Sequence, residues 1–360
     1  MPKLDANVSK SILTVGCSFL QPKGGIAQVL YNYKNYIFND FKYVINSKKG
    51  SKIRKAFVFL SSLIQTIFIL IFDKKIKILH IHTASYNSFE RSAFFVRIGK
   101  FFKKKIILHI HGGDFENYYK LNANRVCTIL DKCDCLITLS QYWKKFFSAI
   151  TTYPDVHIIK NPVSLSHIYL HNNRDIDNRV HFLFLGLIAP EKGVFDLIDT
   201  IAANKDILKD RILLHIGGNG EVETLNSQII KYDISSLIIY EGWVSGRKKE
   251  KLFNETDVFI LPSYAEGLPI SILEAMSYKM PILTTPVGGI PEVVGNMENG
   301  ILFTPGDKRA ILDAIIYCLD NKADIIRMGE KSYQKILPYS SDNVVKELTA
   351  IYSKLLGKNL

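Results

Sequence analysis

Val258-Phe259-Ile260-Leu261-Pro262, running into Ser263-Tyr264-Ala265-Glu266-Gly267-Leu268-Pro269-Ile270-Ser271-Ile272-Leu273-Glu274-Ala275, reads as a strand, a loop and a helix start. The opening apolar run is short and carries no polar alternation, the pattern of a strand covered on both faces. Proline is tolerated in the first turn of a helix, where its missing N–H would have no partner anyway, so Pro269 is expected at the helix entry. Glu266 then lies in the loop at the strand's carboxyl end, where parallel α/β sheets bind their ligands. The free amides of the helix start, beginning at Gly267 and Leu268, offer a place for a diphosphate, and Pro269 and Ile270 belong to the same binding segment. Glu274, inside the helix, presents two carboxylate oxygens suited to a pair of ribose hydroxyls. Taken alone, the two glutamates read equally well as a helix-start charge and a solvated surface group.

Outward from this unit, short apolar runs alternate with helical patterns along the whole chain, which predicts parallel sheets covered by helices. Strands are expected at Ser11–Gly16, Lys42–Asn46, Ile76–His82, Lys105–His111, Cys135–Ser140 and His157–Lys160. A second series is expected at His181–Gly186, Arg211–Gly217, Leu237–Glu241, Val258–Pro262 and Pro281–Thr284. Ile26–Phe38 has its apolar residues at helical spacing. Between the two series the text turns polar around residues 161–180. The fold class expected is therefore α/β with two Rossmann-like domains and a cleft between them. Residues 1–165 form the first, 175–340 the second, and a C-terminal helix at about 343–360 returns to the first.

The 360 residues are 47% apolar and 22% charged, ordinary for a globular protein with two cores. Five scattered cysteines do not make a disulfide framework, and Cys133 and Cys135 lack the companions of a zinc site, so they read as buried thiols. Met1–Lys10 leads directly into a strand-like run without a signal peptide, and a cytoplasmic location is expected. The net charge of +12 is uneven. Residues 1–170 hold 25 Lys and Arg against 9 Asp and Glu, a net +16, while residues 171–360 hold 21 against 25, a net −4. The first half should meet an anionic surface. Nucleic acid is not the expected partner, because no base-reading motif or aromatic platform accompanies the charge.

The setting Pro-Ser-x-x-Glu-Gly-Leu-Pro-x-x-x-Leu-Glu-Ala-Met, with its E-x(7)-E pair, resembles the signature of the retaining glycosyltransferases of family 4, which have the GT-B fold. Phe184-Leu185-Gly186, Glu191-Lys192-Gly193, Gly217-Gly218-Asn219-Gly220, Glu241-Gly242-Trp243-Val244, Pro286–Glu292 and Asn299–Leu302 follow in the family's order. The resemblance is close over residues 181–320 and loose in the first half, through Gly24-Gly25 and His111-Gly112-Gly113-Asp114. It implies transfer of a sugar from a nucleotide-sugar, UDP-sugar before GDP-mannose, with retention of configuration. Lys192 would meet the donor diphosphate and stabilise the departing nucleotide. Glu266 would take hydrogen bonds from the donor sugar's hydroxyls, and His111 would contact the same sugar. Gly24 and Gly25 would admit a donor phosphate or the acceptor, Gly218 would line the donor site, and Trp243-Val244 would form the base wall. The family has an Arg directly after the glycine at Gly186; here that position is Leu187, with Arg247 or Lys248 as possible substitutes. The Gly24-Gly25 pair reads equally as a plain turn.

No metal and no other cofactor is expected. Asp175-Ile176-Asp177 lies in the polar linker, and no His/Glu group has ligand spacing along the chain. Lys192 and helix-start amides would neutralise the leaving diphosphate instead. Two mechanisms fit: front-face transfer, in which the departing phosphate takes the acceptor's proton, or a covalent intermediate on Glu266. Ala56–Phe72 is at the short limit for a spanning helix and is expected to be a packed helix of the first domain, with a membrane-contacting helix as the alternative. Arg91–Lys105, with Phe101, Phe102 and Lys100, Lys103, Lys104 and Lys105, suits docking on an anionic bilayer, or equally a buried helix with a solvated basic end. A lipid-linked glycan acceptor, as in capsule or O-antigen polysaccharide assembly at the inner face of the cell membrane, follows from the charge. A nucleotide-sugar epimerase, a silent sugar-binding scaffold and a nucleic-acid binder are the competing readings.

Overall fold

The computed structural model describes residues 3–20, 24–48, 50–165 and 178–357. The chain divides into two compact units, Met1–Pro162 with Tyr339–Leu360, and Val163–Pro338. Asp175 and Asp177 of the linker lie outside the described residues.

In the first unit the strands are β1 (Ile12–Cys17), β2 (Tyr43–Ser47), β3 (Ile78–Thr83), β4 (Lys105–Ile110), β5 (Cys135–Thr138) and β6 (Asp155–Ile158). They pair in the order β2-β1-β3-β4-β5-β6, all parallel. β3 is buried along its whole length, as a strand with helices on both faces must be. The order reverses between β1 and β3, which puts a switch point at their carboxyl ends. The helix Ser341–Leu355 belongs to this unit through its fully buried Tyr352.

In the second unit β7 (Val180–Leu185), β8 (Ile212–Gly217), β9 (Ile238–Gly242), β10 (Val258–Leu261), β11 (Ile282–Thr284) and β12 (Gly300–Leu302) pair in the order β12-β11-β10-β7-β8-β9. Counted from β7, this is the dinucleotide-binding order, with its switch point between β7 and β10. Both units are Rossmann-like and all-parallel, the construction of the GT-B fold. β12 has three residues, one of them glycine, and is too short to show as a strand pattern in sequence.

Two expectations are corrected. The pattern at Ile26–Phe38 is a helix only over Gly25–Asn32; it then widens into a π-turn, closed by Phe38 N–H donating to Tyr33 O at 3.0 Å. The apolar run at Ala56–Phe72 forms the helix Lys52–Phe72, but it is not a packed core helix, because most of its large side chains face outward. The helix at Arg91–Lys105 ends at Phe101 and buries Phe95 and Val96. Three lysines of its basic end have partners: Lys100 and Lys105 both pair with Asp134 at 3.1 Å, and Lys104 donates to Ile76 O at 2.8 Å.

Candidate active site

The switch point of the second unit is formed by two loops that are laced together. After β7 the chain makes a 3-10 turn, Pro190–Lys192, and leaves it through Gly193 at φ 68°. A Cβ on Gly193 would lie 2.0 Å from Pro262 O, so only glycine lets the loop after β7 cross the end of β10. Tyr264 N–H then donates to Glu191 O at 3.0 Å. The crossing brings Lys192 Nζ to 2.6 Å from Glu266 Oε1, which also accepts from Ser263 Oγ at 2.9 Å. Both charged side chains are largely buried.

The loop after β11 supports this arrangement from behind. Gly288, at φ 56°, has no room for a side chain, since its Cβ would sit 1.9 Å from Glu266 O. Gly289 N–H donates to Gly267 O at 2.7 Å, and Thr285 Oγ1 to Ser263 O at 2.5 Å. The helix that follows runs Ile270–Ser277, with Pro269 as its extended N-cap. It therefore starts one residue after Pro269 rather than containing it, and Gly267 and Leu268 belong to the loop. The helix amides without an intrahelical acceptor are those of Ile270, Ser271 and Ile272. Glu274 faces Lys249, whose Nζ lies 2.6 Å from its Oε1. Gly218 N–H donates to Gly242 O at 2.9 Å, and Val244 is buried against Gly217. Leu187 is 41% exposed on the loop after β7. Of the two substitutes for a cation there, Lys248 is held by Glu241, with Nζ to Oε2 at 2.9 Å.

Gly24, Gly25 and His111 belong to the first unit. Gly24 is the N-cap of the helix Gly25–Asn32 and takes φ 134°; among the described residues no atom lies near the would-be Cβ of either glycine. His111 follows β4, and its Nε2 lies 2.9 Å from His82 Nδ1. β3 and β4 pair with His82 opposite His109, so alternation places His80, His82, His109 and His111 in one column of near-stacked rings. His80 Nδ1 reaches Tyr352 Oη at 2.7 Å. Among the described residues, His80, His82 and His109 offer nitrogens within 4.8 Å of one another. The expectation that no histidine group has ligand spacing is therefore corrected; strand pairing, which spacing along the chain does not encode, brings them together.

Burial pushes His80 down to about 3, and the repulsion of a proton on His111 adds to it. Desolvation lowers His82 and His109 as well. Imidazoles held neutral in the fold take protons only on unfolding, so stability rises with pH between about 3 and 6.5 and is lost as pH falls through that window. His80 alone should contribute a slope of about 1.4 kcal/mol per pH unit below pH 6.5. Denaturant unfolding at pH 7, 6 and 5 measures it, above the range where ordinary carboxylates titrate. A midpoint that does not move between pH 7 and 5 contradicts the buried neutral column.

Three groups escaped sequence reasoning: Ser263 at Glu266, Lys249 at Glu274, and the Tyr352 partner of His80. Lys249 had a signal, since it lies three and four residues before the buried Leu252 and Phe253, on the inward face of its helix.

Residues 170–335 match the family model described as "Glycosyl transferases group 1". An uncharacterized glycosyltransferase of Methanocaldococcus jannaschii, MJ1607, is 29% identical over 181 residues, covering 49% of this chain and 45% of that relative. An uncharacterized 41.2 kDa protein in the cps region of Klebsiella pneumoniae is 24% identical over 71% of this chain and 72% of its own length. Alr3699/HepE of Anabaena, crystallised in complex with UDP-glucose, superimposes with a TM-score of 0.76 over 95% of this chain and 99% of that one, at 15% identity. The chain thus has the GT-B fold, and its second unit is related to the group 1 glycosyl transferases.

Proposed function

We propose that the protein is a retaining glycosyltransferase of the family 4 type, moving a sugar from a nucleotide-sugar to a glycan acceptor in bacterial surface polysaccharide assembly. The Lys192–Glu266 pair at the β7/β10 switch point, one helix turn and more before Glu274, carries this reading. In it, the donor diphosphate competes with Glu266 for the Lys192 ammonium, assisted by the amides at Ile270–Ile272. Freed from the lysine, Glu266 accepts hydrogen bonds from the sugar. Glu274, oriented by Lys249, accepts the two ribose hydroxyls, and Gly218 and Val244 flank the nucleotide. His111 keeps the donor-sugar role that the family resemblance assigns to it.

Transfer proceeds on the front face. The bond from the anomeric carbon to the β-phosphate oxygen breaks, the acceptor oxygen bonds to the same face, and its proton passes to the departing phosphate. A UDP-sugar is favoured over GDP-mannose by the UDP-glucose complex of the structural relative. The gene setting of the Klebsiella relative favours a capsule-type acceptor, and the basic first half favours a lipid-linked one on the cytoplasmic face of the membrane.

Because a lysine and helix amides take the diphosphate, the reaction should need no divalent cation. Excess chelator should leave transfer unchanged, read as nucleotide release from the donor plus a lipid acceptor extract. Loss of activity on chelation, restored by magnesium or manganese, would overturn this part of the reading.

A further inference from the structure

The helix Lys52–Phe72 is built inside out for a protein in water. The side chains it buries include the small polar Ser62 and Thr66, whose hydroxyls donate back to Phe59 O and to Ser62 O, the latter at 2.8 Å. Its large apolar side chains point away from the unit. Ile53 is 84% exposed, Phe57 72%, Ile64 69% and Phe68 61%, and Leu60, Ile67, Ile71 and Phe72 are exposed with them. These positions advance by threes and fours, so they form one continuous stripe along about 30 Å of helix. Singly exposed apolar residues need no explanation, but a stripe of eight marks a contact surface.

Charge identifies what the stripe meets. Lys52, Arg54 and Lys55 stand exposed at its start and Lys74, Lys75 and Lys77 just past its end, with no acidic residue between Lys52 and Phe72. Basic ends around an apolar middle complement an anionic lipid surface, where the long cationic side chains reach headgroups while the stripe enters the acyl region. At the helix's far end an open groove of about 650 Å³ continues the apolar surface through Phe68, Ile69 and Phe72; its charged lining is the Lys42–Asp73 ion pair and Lys75.

By length and composition the helix is sufficient to cross a bilayer. Its inner face nevertheless stays packed: Leu70 is buried in the first unit's core, Phe59 rests edge-on against Phe94 and Phe95, and the helix lies along β2. We propose that Lys52–Phe72 is an in-plane membrane anchor, lying in the interface of an anionic phospholipid bilayer with its Ile53–Phe57–Ile64–Phe68 stripe among the acyl chains. This places docking on a different helix from the basic one ending at Phe101, where Lys100, Lys104 and Lys105 already hold Asp134 and Ile76 O. The inference deepens the proposed membrane-borne acceptor and rests on that reading for its use in the reaction.

Flotation with vesicles of equal parts phosphatidylcholine and phosphatidylglycerol tests it. The wild-type protein should float with them and keep a bound fraction in high salt, since inserted side chains are not screened. The triple variant F57S/I64S/F68S, changed only at exposed positions, should lose at least tenfold in partitioning while its melting temperature and nucleotide binding are unchanged. A second variant, K52S/R54S/K55S, should lose the preference for anionic over neutral vesicles. If the triple variant floats like wild type, the anchor is wrong and the donor site stands. If neither protein floats and the variant instead abolishes a dimer seen by light scattering, the stripe is an interface between copies and the proposal is overturned. Flotation without binding of any nucleotide would retain the anchor and remove the glycosyltransferase reading.

Discussion

Lys192→Ala is expected to lower turnover by about 10²–10³, roughly 3–4 kcal/mol of transition-state stabilisation, the range for removing one preorganised donor to a developing oxyanion. The lysine meets the leaving diphosphate as charge accumulates there, so kcat should fall more than KM rises. The same change leaves Glu266 without its partner at 2.6 Å in a largely buried position. Some loss of stability in the second unit should accompany the kinetic effect. Thermal melting of the variant separates the two, because a folded protein with lost turnover assigns the defect to chemistry. Lys192→Arg restores the charge but not the compact ammonium geometry and should recover only part of the rate. A folded Lys192→Ala enzyme with wild-type turnover would remove the lysine from the mechanism.

Glu274→Ala should weaken nucleotide binding by about 1–3 kcal/mol, roughly 5- to 150-fold, the value of hydrogen bonds to a charged acceptor. The carboxylate is fixed before any ligand arrives: Lys249 holds Oε1 at 2.6 Å, and both side chains are mostly buried. Calorimetric titration with UDP and GDP measures the loss. Lys249→Ala should weaken binding in the same direction by a smaller factor, because it loosens the carboxylate without deleting it. Unchanged affinity in a folded Glu274→Ala protein would leave the ribose without its assigned partner.

The positions of the strands were legible because parallel strands covered on both faces read as short apolar runs, and Val258–Leu261 carries that pattern without interruption. The loop holding Glu266 was legible through Pro269, which a helix entry tolerates and a strand or helix interior does not. Pairing across elements was not. Nothing along the chain reports that Lys192 and Glu266 share a hydrogen bond or that Lys249 reaches Glu274. Alternation alone put His80 with His82, and His109 with His111, on one face of each strand, and only the register of the two strands stacks the four in one column. The helix Lys52–Phe72 was expected to be packed before it was expected to meet a membrane, for a related reason. An apolar run says that side chains leave water, and only the fold says that they face away from the protein's own core.

Release of nucleoside diphosphate from a panel of UDP- and GDP-sugars, with a lipid extract from a polysaccharide-producing bacterium as acceptor, tests the central claim most directly. At least one donor should yield product with the wild-type enzyme in the presence of chelator, and the signal should fall by about 10²–10³ with Lys192→Ala. Release that requires acceptor extract identifies transfer rather than hydrolysis. No release from any donor in the panel, by a folded protein with its acceptor extract supplied, would contradict the account.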